Sequence, residues 1–172
     1  VPKVGAEVLP PDVLLGKQHF YDAADPRLAF QSYLNCAACH SESGGDGRTW
    51  DFTDLGEGLR NTIDLRGHGS GMGRLHWTAN FDEFQDFEGQ IRHFNAQGLM
   101  SFIDFQATSD PLGPPKAGLS ADLDALAAYL ASLTSTGASP HRAPGGALTP
   151  DGEAGASLFA DTGCGGCHAG TA

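Results

Sequence analysis

Two copies of one five-residue pattern account for every cysteine in the chain. The first copy is Cys36-Ala37-Ala38-Cys39-His40, and the second is Cys164-Gly165-Gly166-Cys167-His168. The pattern C-x-x-C-H is typical of covalent attachment of a c-type haem. The two thiols add across the vinyl groups of the porphyrin, and the histidine that follows becomes the proximal ligand of the iron. The sequence therefore predicts two covalently attached haem groups, with His40 and His168 as proximal ligands.

Pairs of cysteines with two residues between them have other uses, which remain alternatives. They form thioredoxin-like redox sites, halves of zinc sites and parts of disulfide frameworks. None of these requires a histidine directly after the second cysteine. Two such pairs in one zinc site usually lie about 15–20 residues apart, whereas more than a hundred residues separate these two. Haem attachment is therefore the favoured interpretation.

The chain is strongly acidic, which limits its partners. Its 172 residues contain 21 acidic residues against 10 Lys and Arg, for a formal net charge of −11. Such a surface repels nucleic acid and anionic membranes, so we expect neither as a partner. It suits basic redox partner proteins, and it serves solubility equally well. No run reaches the 18 or so apolar residues of a membrane span. Because haem is attached outside the cytoplasm, we expect a periplasmic or extracellular protein.

Capping residues and apolar spacing predict several helices. Their expected starts are Pro11, Asn80, Ser120 and Thr149, and the second was expected to run over 80–94. The Gly-rich stretch 43–73 was expected to form loops. With 24 Gly and 10 Pro in the chain, these features predict a mainly α fold with long Gly/Pro-rich loops and little or no sheet.

A short repeat precedes each haem pattern and indicates two related modules. Each copy has a glycine, an aromatic residue four positions later, and an aspartate. These residues are Gly16, Phe20 and Asp22 in the first copy and Gly155, Phe159 and Asp161 in the second. A Pro-, Gly- and Ser-rich segment over 135–148 separates the copies. We predict a first haem domain over 1–140 and the truncated start of a second haem module over 141–172.

Several motifs in the first half occur in an order that points to a family. They are Gly16…Phe20-Tyr21-Asp22, Pro26-Arg27-Leu28, the first haem pattern, Gly45-Asp46-Gly47-Arg48, Leu59-Arg60-Asn61-Thr62 and Leu75-His76-Trp77. This order resembles the bacterial di-haem cytochrome c peroxidase family, in the branch found as modules of large secreted proteins. The resemblance implies two cytochrome-c-like haem modules. It also implies electron entry at one haem, peroxide reduction at the other, and Trp77 in the segment that contacts the first haem.

Two departures from the family bear on peroxidase activity. Family members carry a Glu directly before a Met beyond the first-haem helix, and that acid assists O–O cleavage. The matching stretch here has Leu99 before Met100, and an apolar side chain cannot transfer a proton. The family's second haem also takes a Met from far downstream, and no methionine follows His168 in this sequence.

The sixth ligand of each iron is the main open question. For the first haem we expect His76, with Met100 as the runner-up and then His68. For the second haem the alternatives are His141, His19, a residue of a second chain, or a residue outside this sequence. The remaining candidates are Met72 and His93, and we expect His93 to be bonded to backbone or solvent.

Three functions are compatible with these observations. The leading hypothesis is a di-haem c-type cytochrome that transfers electrons between redox partner proteins, because a protein ligand on both sides of the iron favours electron transfer. A peroxidase with the first haem catalytic is the alternative. The third is an accessory module that contacts neighbouring domains of a larger chain or assembles with itself.

Overall fold

A computed structural model describes residues 6–67 and 73–168, so the candidates His68 and Met72 lie outside the described residues. The chain divides into two compact units between residues 135 and 136. The boundary predicted from the sequence falls in the same Pro- and Gly-rich segment. Each unit is described by itself below.

The mainly α prediction is confirmed. Across residues 6–67 and 73–135, unit one contains five α-helices: α1 (Pro11–Tyr21), α2 (Cys36–Cys39), α3 (Glu88–His93), α4 (Phe102–Ala107) and α5 (Ala121–Ala131). Unit two contains α6 (Pro150–Asp161). Short 3-10 helices lie at Phe30–Ser32, Ser41–Ser43, Thr53–Leu55, Phe84–Phe87 and Cys164–Gly166.

A small hairpin occupies part of the stretch predicted to form loops. Strands β1 (Thr49–Phe52) and β2 (Gly58–Asn61) pair antiparallel, with Thr49 opposite Asn61. A 3-10 turn and Gly56, at a φ of 76°, reverse the chain between them. The loop prediction was therefore wrong for these two strands. Each strand has only four residues and lies in a Gly-rich stretch, so the sequence shows no clear strand pattern there.

Three of the predicted helix starts are confirmed, and the fourth is shifted. Ser120 Oγ accepts a hydrogen bond from Leu123 N–H, and Thr149 Oγ1 accepts one from Gly152 N–H. The helix expected over 80–94 instead begins at Phe84 as a 3-10 turn, with Glu83 as its N-cap residue. A capping box forms between Glu83 and Asp86, so the helix begins about one turn after the predicted start at Asn80, and the predicted pairing of Asn80 with Glu83 was wrong.

Helices α1 and α5 pack against each other at Gly16. A Cβ atom at this position would lie 1.8 Å from the carbonyl oxygen of Ala125 and 2.8 Å from Tyr129 Cβ. Glycine is therefore required for the close approach of the two helices. Phe20 is 1 % exposed and meets the Tyr129 ring edge-on, with centroids 5.2 Å apart. The core cluster consists of Phe20, Leu28, Ile91, Ala96, Leu99, Met100, Leu123, Leu126 and Tyr129.

Candidate haem-attachment sites

The first C-x-x-C-H pattern lies on α2, next to the core of unit one. One helical turn separates Cys36 and Cys39, so both thiols project from the same side of the helix. The N–H of His40 donates to the carbonyl of Cys36 at 2.9 Å and closes the turn. Cys36 and Ala37 pack against the core cluster. The attachment turn is thus fixed to an apolar surface suited to a porphyrin.

The ring of His40 is oriented by two main-chain carbonyls. Its Nδ1 lies 3.2 Å from the Gly44 oxygen and 3.0 Å from the Ile63 oxygen. Both partners are acceptors, so Nδ1 carries the proton and Nε2 keeps its lone pair. Burial lowers the pKa of His40, which favours the neutral ring. A neutral histidine whose other nitrogen donates to a carbonyl is the usual form of a metal-bound histidine.

Burial of the two thiols of this turn favours their protonated form. Burial raises the pKa of Cys36 to about 11, and burial also raises the pKa of Cys39. Reactive thioredoxin-like pairs need the opposite shift, toward the thiolate. The surroundings of Cys36 therefore suit a residue held in an apolar contact better than a catalytic thiol.

The second pattern adopts a similar turn in an exposed setting. The N–H of His168 donates to the carbonyl of Cys164 at 3.0 Å, as His40 does to Cys36. Cys164, Cys167 and His168 are all exposed. The ring of Phe159 lies 6.4 Å from that of His168, at an angle of 61°. The local turn is present, and its histidine has few contacts within unit two.

Met100 lies in the same apolar cluster that contacts the first attachment turn. Its side chain belongs to the core cluster against which Cys36 and Ala37 pack, and it is 6 % exposed. The thioether is a ligand that cytochromes c use opposite histidine. The donor set of His40 and Met100 therefore fits a c-type haem.

His76 is held in a different polar network. Its Nδ1 lies 2.8 Å from Asn80 Oδ1, and its Nε2 lies 3.0 Å from Gln90 Nε2. The ring lies between Phe81 and Phe87, with centroids at 4.0 and 4.9 Å. Both nitrogens are engaged, so binding iron would require Gln90 to leave Nε2. His76 as a ligand stays a prediction.

Other predicted residues lie in varied surroundings. Trp77 is 60 % exposed, and its indole N–H donates to the Asn61 carbonyl at 2.9 Å. His19 is buried, with Nε2 3.3 Å from Asp122 Oδ1. His93 Nε2 lies 3.1 Å from Asp54 Oδ2, and His141 is exposed.

Two features of unit one were not found from the sequence. The carboxylate of Glu88, with Arg92, contacts the main chain at Leu99 and Met100. The i, i+4 spacing of Glu88 and Arg92 was a visible signal, but such a pair usually lies on a solvated surface. The second feature is an open cleft of about 230 Å³ whose wall includes Tyr33 and Leu34, just before α2. Its other lining residues are Phe30, Gln31, His93, Phe94 and Asn95.

Metal-binding clusters and membrane-spanning helices are both absent from residues 6–67 and 73–168. No group of three or more His, Cys, Asp and Glu side chains in these ranges could hold a metal ion. No helix in the same ranges is long and apolar enough to cross a bilayer. No protein-family model, curated protein or solved structure matches this chain.

Proposed function

We propose that this chain is a di-haem c-type cytochrome that transfers electrons outside the cytoplasm. The observation that carries the proposal is the state of His40. It directly follows a pair of cysteines on one helical turn, and its Nδ1 faces two carbonyl oxygens at 3.2 and 3.0 Å. The proposal also rests on the second C-x-x-C-H pattern, whose histidine closes the same local turn.

Each residue of the first site has a defined task. Cys36 and Cys39 would tether the porphyrin, and the apolar cluster beside Cys36 would exclude water from the attachment turn. His40 would offer Nε2 to the iron, while the hydrogen bonds at Nδ1 fix the ring and raise its basicity. The haem, when bound, supplies an iron that takes up and releases one electron.

Met100 is the sixth ligand that we favour for the first iron, ahead of His76. The apolar cluster links Met100 with Cys36, whereas Gln90 and Asn80 already occupy both nitrogens of His76. Histidine and methionine together would fill both protein-ligand positions of a haem iron, and this pair would raise its reduction potential. This ligand pair favours electron transfer over catalysis.

The residue before Met100 argues against the peroxidase alternative. Leu99 is buried in the core cluster, and its N–H donates to Glu88 Oε2 at 2.9 Å. Its side chain cannot exchange a proton with a peroxide oxygen. The acidic surface, with a net charge of −11, favours basic redox partner proteins through long-range attraction.

The first experiment is to produce the chain with haem-attachment machinery and count its haems by denaturing electrophoresis and mass spectrometry. We expect two covalent haems. We also expect two low-spin absorption spectra, reversible reduction, and no new species after peroxide is added. A high-spin band that peroxide converts would instead support the peroxidase. A chain without covalent haem would refute the proposal.

Matched variants assign each haem to its pattern. Replacing Cys36 and Cys39 by Ala removes one haem, and replacing Cys164 and Cys167 by Ala removes the other. Substituting His40 by Ala should turn one haem high-spin. His93→Ala is the control, because His93 lies 3.1 Å from Asp54 in a surface ion pair and should leave both spectra unchanged.

A further inference from the structure

The main chain of Met100 is held on both sides by one buried ion pair. Glu88 accepts hydrogen bonds from Leu99 N–H at 2.9 Å and from Met100 N–H at 3.3 Å. Arg92 donates to the Met100 carbonyl at 2.6 Å, and its Nε donates to Glu88 Oε1 at 2.8 Å. The peptide groups on either side of the Met100 Cα are therefore fixed by two side chains of α3.

The loop before Met100 is shaped to reach this ion pair. Gly98 has a φ of 87°, and a Cβ there would lie 2.1 Å from Glu88 Oε1 and 2.6 Å from Arg92 Cζ. The N–H of Gly98 also donates to the Arg27 carbonyl at 2.9 Å. A side chain at residue 98 would push the loop away from the pair, so this glycine permits the contact.

Stability alone is a weak reason for such an arrangement. Glu88 is 0 % exposed and the Arg92 side chain is 17 % exposed, so both charges have lost most of their water. Buried ion pairs often add no stability over apolar residues of the same volume, and their best-attested role is to fix register. Here the ion pair fixes the main chain of Met100, the residue that we favour as iron ligand.

We propose that Glu88 and Arg92 are positioning residues that set the Met100 thioether at the distance where it binds the first haem iron. This inference rests on the proposed function. Glu88 fixes Met100 through its N–H, and Arg92 fixes it through its carbonyl. Loss of either contact lets the 98–100 segment move away from the core, and the sulfur with it.

The test compares two neighbouring buried carboxylates in the di-haem protein. Glu88→Gln removes the charge that holds Met100. Asp86→Asn removes an equally buried charge, which binds Lys116 Nζ at 2.6 Å and contacts neither Leu99 nor Met100. The readouts are the red charge-transfer band of a methionine-ligated ferric haem, the reduction potential and the thermal midpoint.

We expect both variants to lose stability, but only Glu88→Gln to lose the methionine signature. Changes in outer-shell partners typically weaken metal ligation by about 10- to 100-fold, so the equilibrium constant for methionine ligation should fall by at least about tenfold in Glu88→Gln, and the band should weaken. The potential of the first haem should fall with it. Arg92→Lys keeps a positive charge beside Glu88. Lysine has a single nitrogen, so it cannot span Glu88 and the Met100 carbonyl as the two nitrogens of Arg92 do. The variant should therefore lose less of the methionine band than Glu88→Gln.

Equal changes of the band in Glu88→Gln and Asp86→Asn would overturn the inference, as would an unchanged band in folded Arg92→Lys. If Glu88→Gln fails to fold, Arg92→Lys decides. Met100→Ala must abolish the band, and a wild-type protein without the band also refutes the inference. Two covalent haems and reversible reduction would leave the proposed function standing in that case, so the two failures are distinguishable.

Discussion

The two C-x-x-C-H patterns have nearly the same local backbone and very different surroundings. In both, the histidine N–H donates to the carbonyl of the first cysteine, at 2.9 and 3.0 Å. In unit one the ring of His40 also has partners four and 23 residues away, at Gly44 and Ile63. In unit two His168 is exposed. The five residues are enough to build the turn, whereas more distant segments are needed to orient the histidine ring.

The repeat that precedes each pattern shows the same contrast. Gly16 and Gly155 occupy equivalent positions, four residues before Phe20 and Phe159. Phe20 is 1 % exposed and Phe159 is 43 % exposed. A Cβ at Gly16 would collide with α5, and a Cβ at Gly155 would meet nothing within 4 Å. Equivalent residues therefore serve helix packing in one unit and make no such contact within the other.

The largest predicted effect comes from Gly16→Ala. Its Cβ would lie 1.8 Å from the carbonyl oxygen of Ala125, and a backbone atom cannot move aside without separating α1 from α5. Overpacking of this kind costs about 3 kcal/mol, even after the better helix propensity of alanine is included. Hydrogen exchange measured by mass spectrometry should show loss of protection throughout α1 and α5.

Gly155→Ala is the matched control for this prediction. With open space around the new methyl group, the variant should gain about 0.5–1 kcal/mol in α6 from helix propensity alone. Exchange in α6 should slow slightly while α1 and α5 stay unchanged. Equal changes in stability from Gly16→Ala and Gly155→Ala would contradict a requirement for glycine at the contact of α1 with α5.

The sequence predicted elements whose signals are local. Ser120 and Thr149 were identified as N-caps because a capping side chain bonds a backbone N–H three residues away. The mainly α class followed from such signals. The strands Thr49–Phe52 and Gly58–Asn61 were missed because each is short and lies within a Gly-rich stretch. These strands are stabilised by hydrogen bonds to each other across a turn, and such pairing cannot be read from the residues of either strand alone.

The candidate site divides in the same way. The attachment turn and its histidine follow from five adjacent residues. The contacts of His40 with Ile63, and of Glu88 with Leu99, join residues 23 and 11 positions apart, so no local pattern announces them. The network around His76 depends likewise on Gln90, 14 residues away. The contacts of His76 with Asn80 and Gln90 are the reason that we favour Met100 over His76 as the proposed sixth ligand.

The next prediction concerns the thiols of the haem-free chain. Burial raises the pKa of Cys36 to about 11, from an ordinary value of 9.0. At pH 8 the thiolate fraction of Cys36 is then about 100-fold below that of an ordinary thiol, and the thiolate is the form that iodoacetamide attacks. Cys164 is exposed. Peptide mapping after short labelling should therefore show alkylation of Cys164 well before Cys36.

A denatured sample provides the control for this labelling experiment, because unfolding exposes all four thiols. Cys36 and Cys164 should then react at similar rates. Fast labelling of Cys36 in the native chain would contradict its burial against the core cluster. It would also weaken the contrast between the two attachment turns.

The smallest predicted effect is pH-dependent and belongs to an ion pair at the start of α5. Arg27 Nη1 lies 2.5 Å from Asp122 Oδ2, and this hydrogen bond lowers the pKa of Asp122 below its ordinary value of 3.8. A lowered pKa in the folded state means that the charged carboxylate favours folding. This contribution is complete above pH 3.8 or so and is lost as the pH falls through the folded-state pKa. Both side chains are about one-third exposed, so Asp122→Asn should cost only about 1 kcal/mol at pH 7.

Asp151 provides the control, because it occupies the second position of α6 as Asp122 does in α5. Both carboxylates face the positive end of a helix dipole, but no ion pair of Asp151 is found in the described ranges 6–67 and 73–168. Asp151→Asn should therefore cost only a few tenths of a kcal/mol, measured by hydrogen exchange in α6. Denaturation of unit one, which contains Asp122, can be followed by fluorescence, since both tryptophans, Trp50 and Trp77, lie in it. Wild type and Asp122→Asn should differ at pH 7 and converge as the pH falls through the folded-state pKa of Asp122. If their difference persisted in acid, the cost would come from the shape of the new side chain, and the contrast between the two helix starts would not be electrostatic.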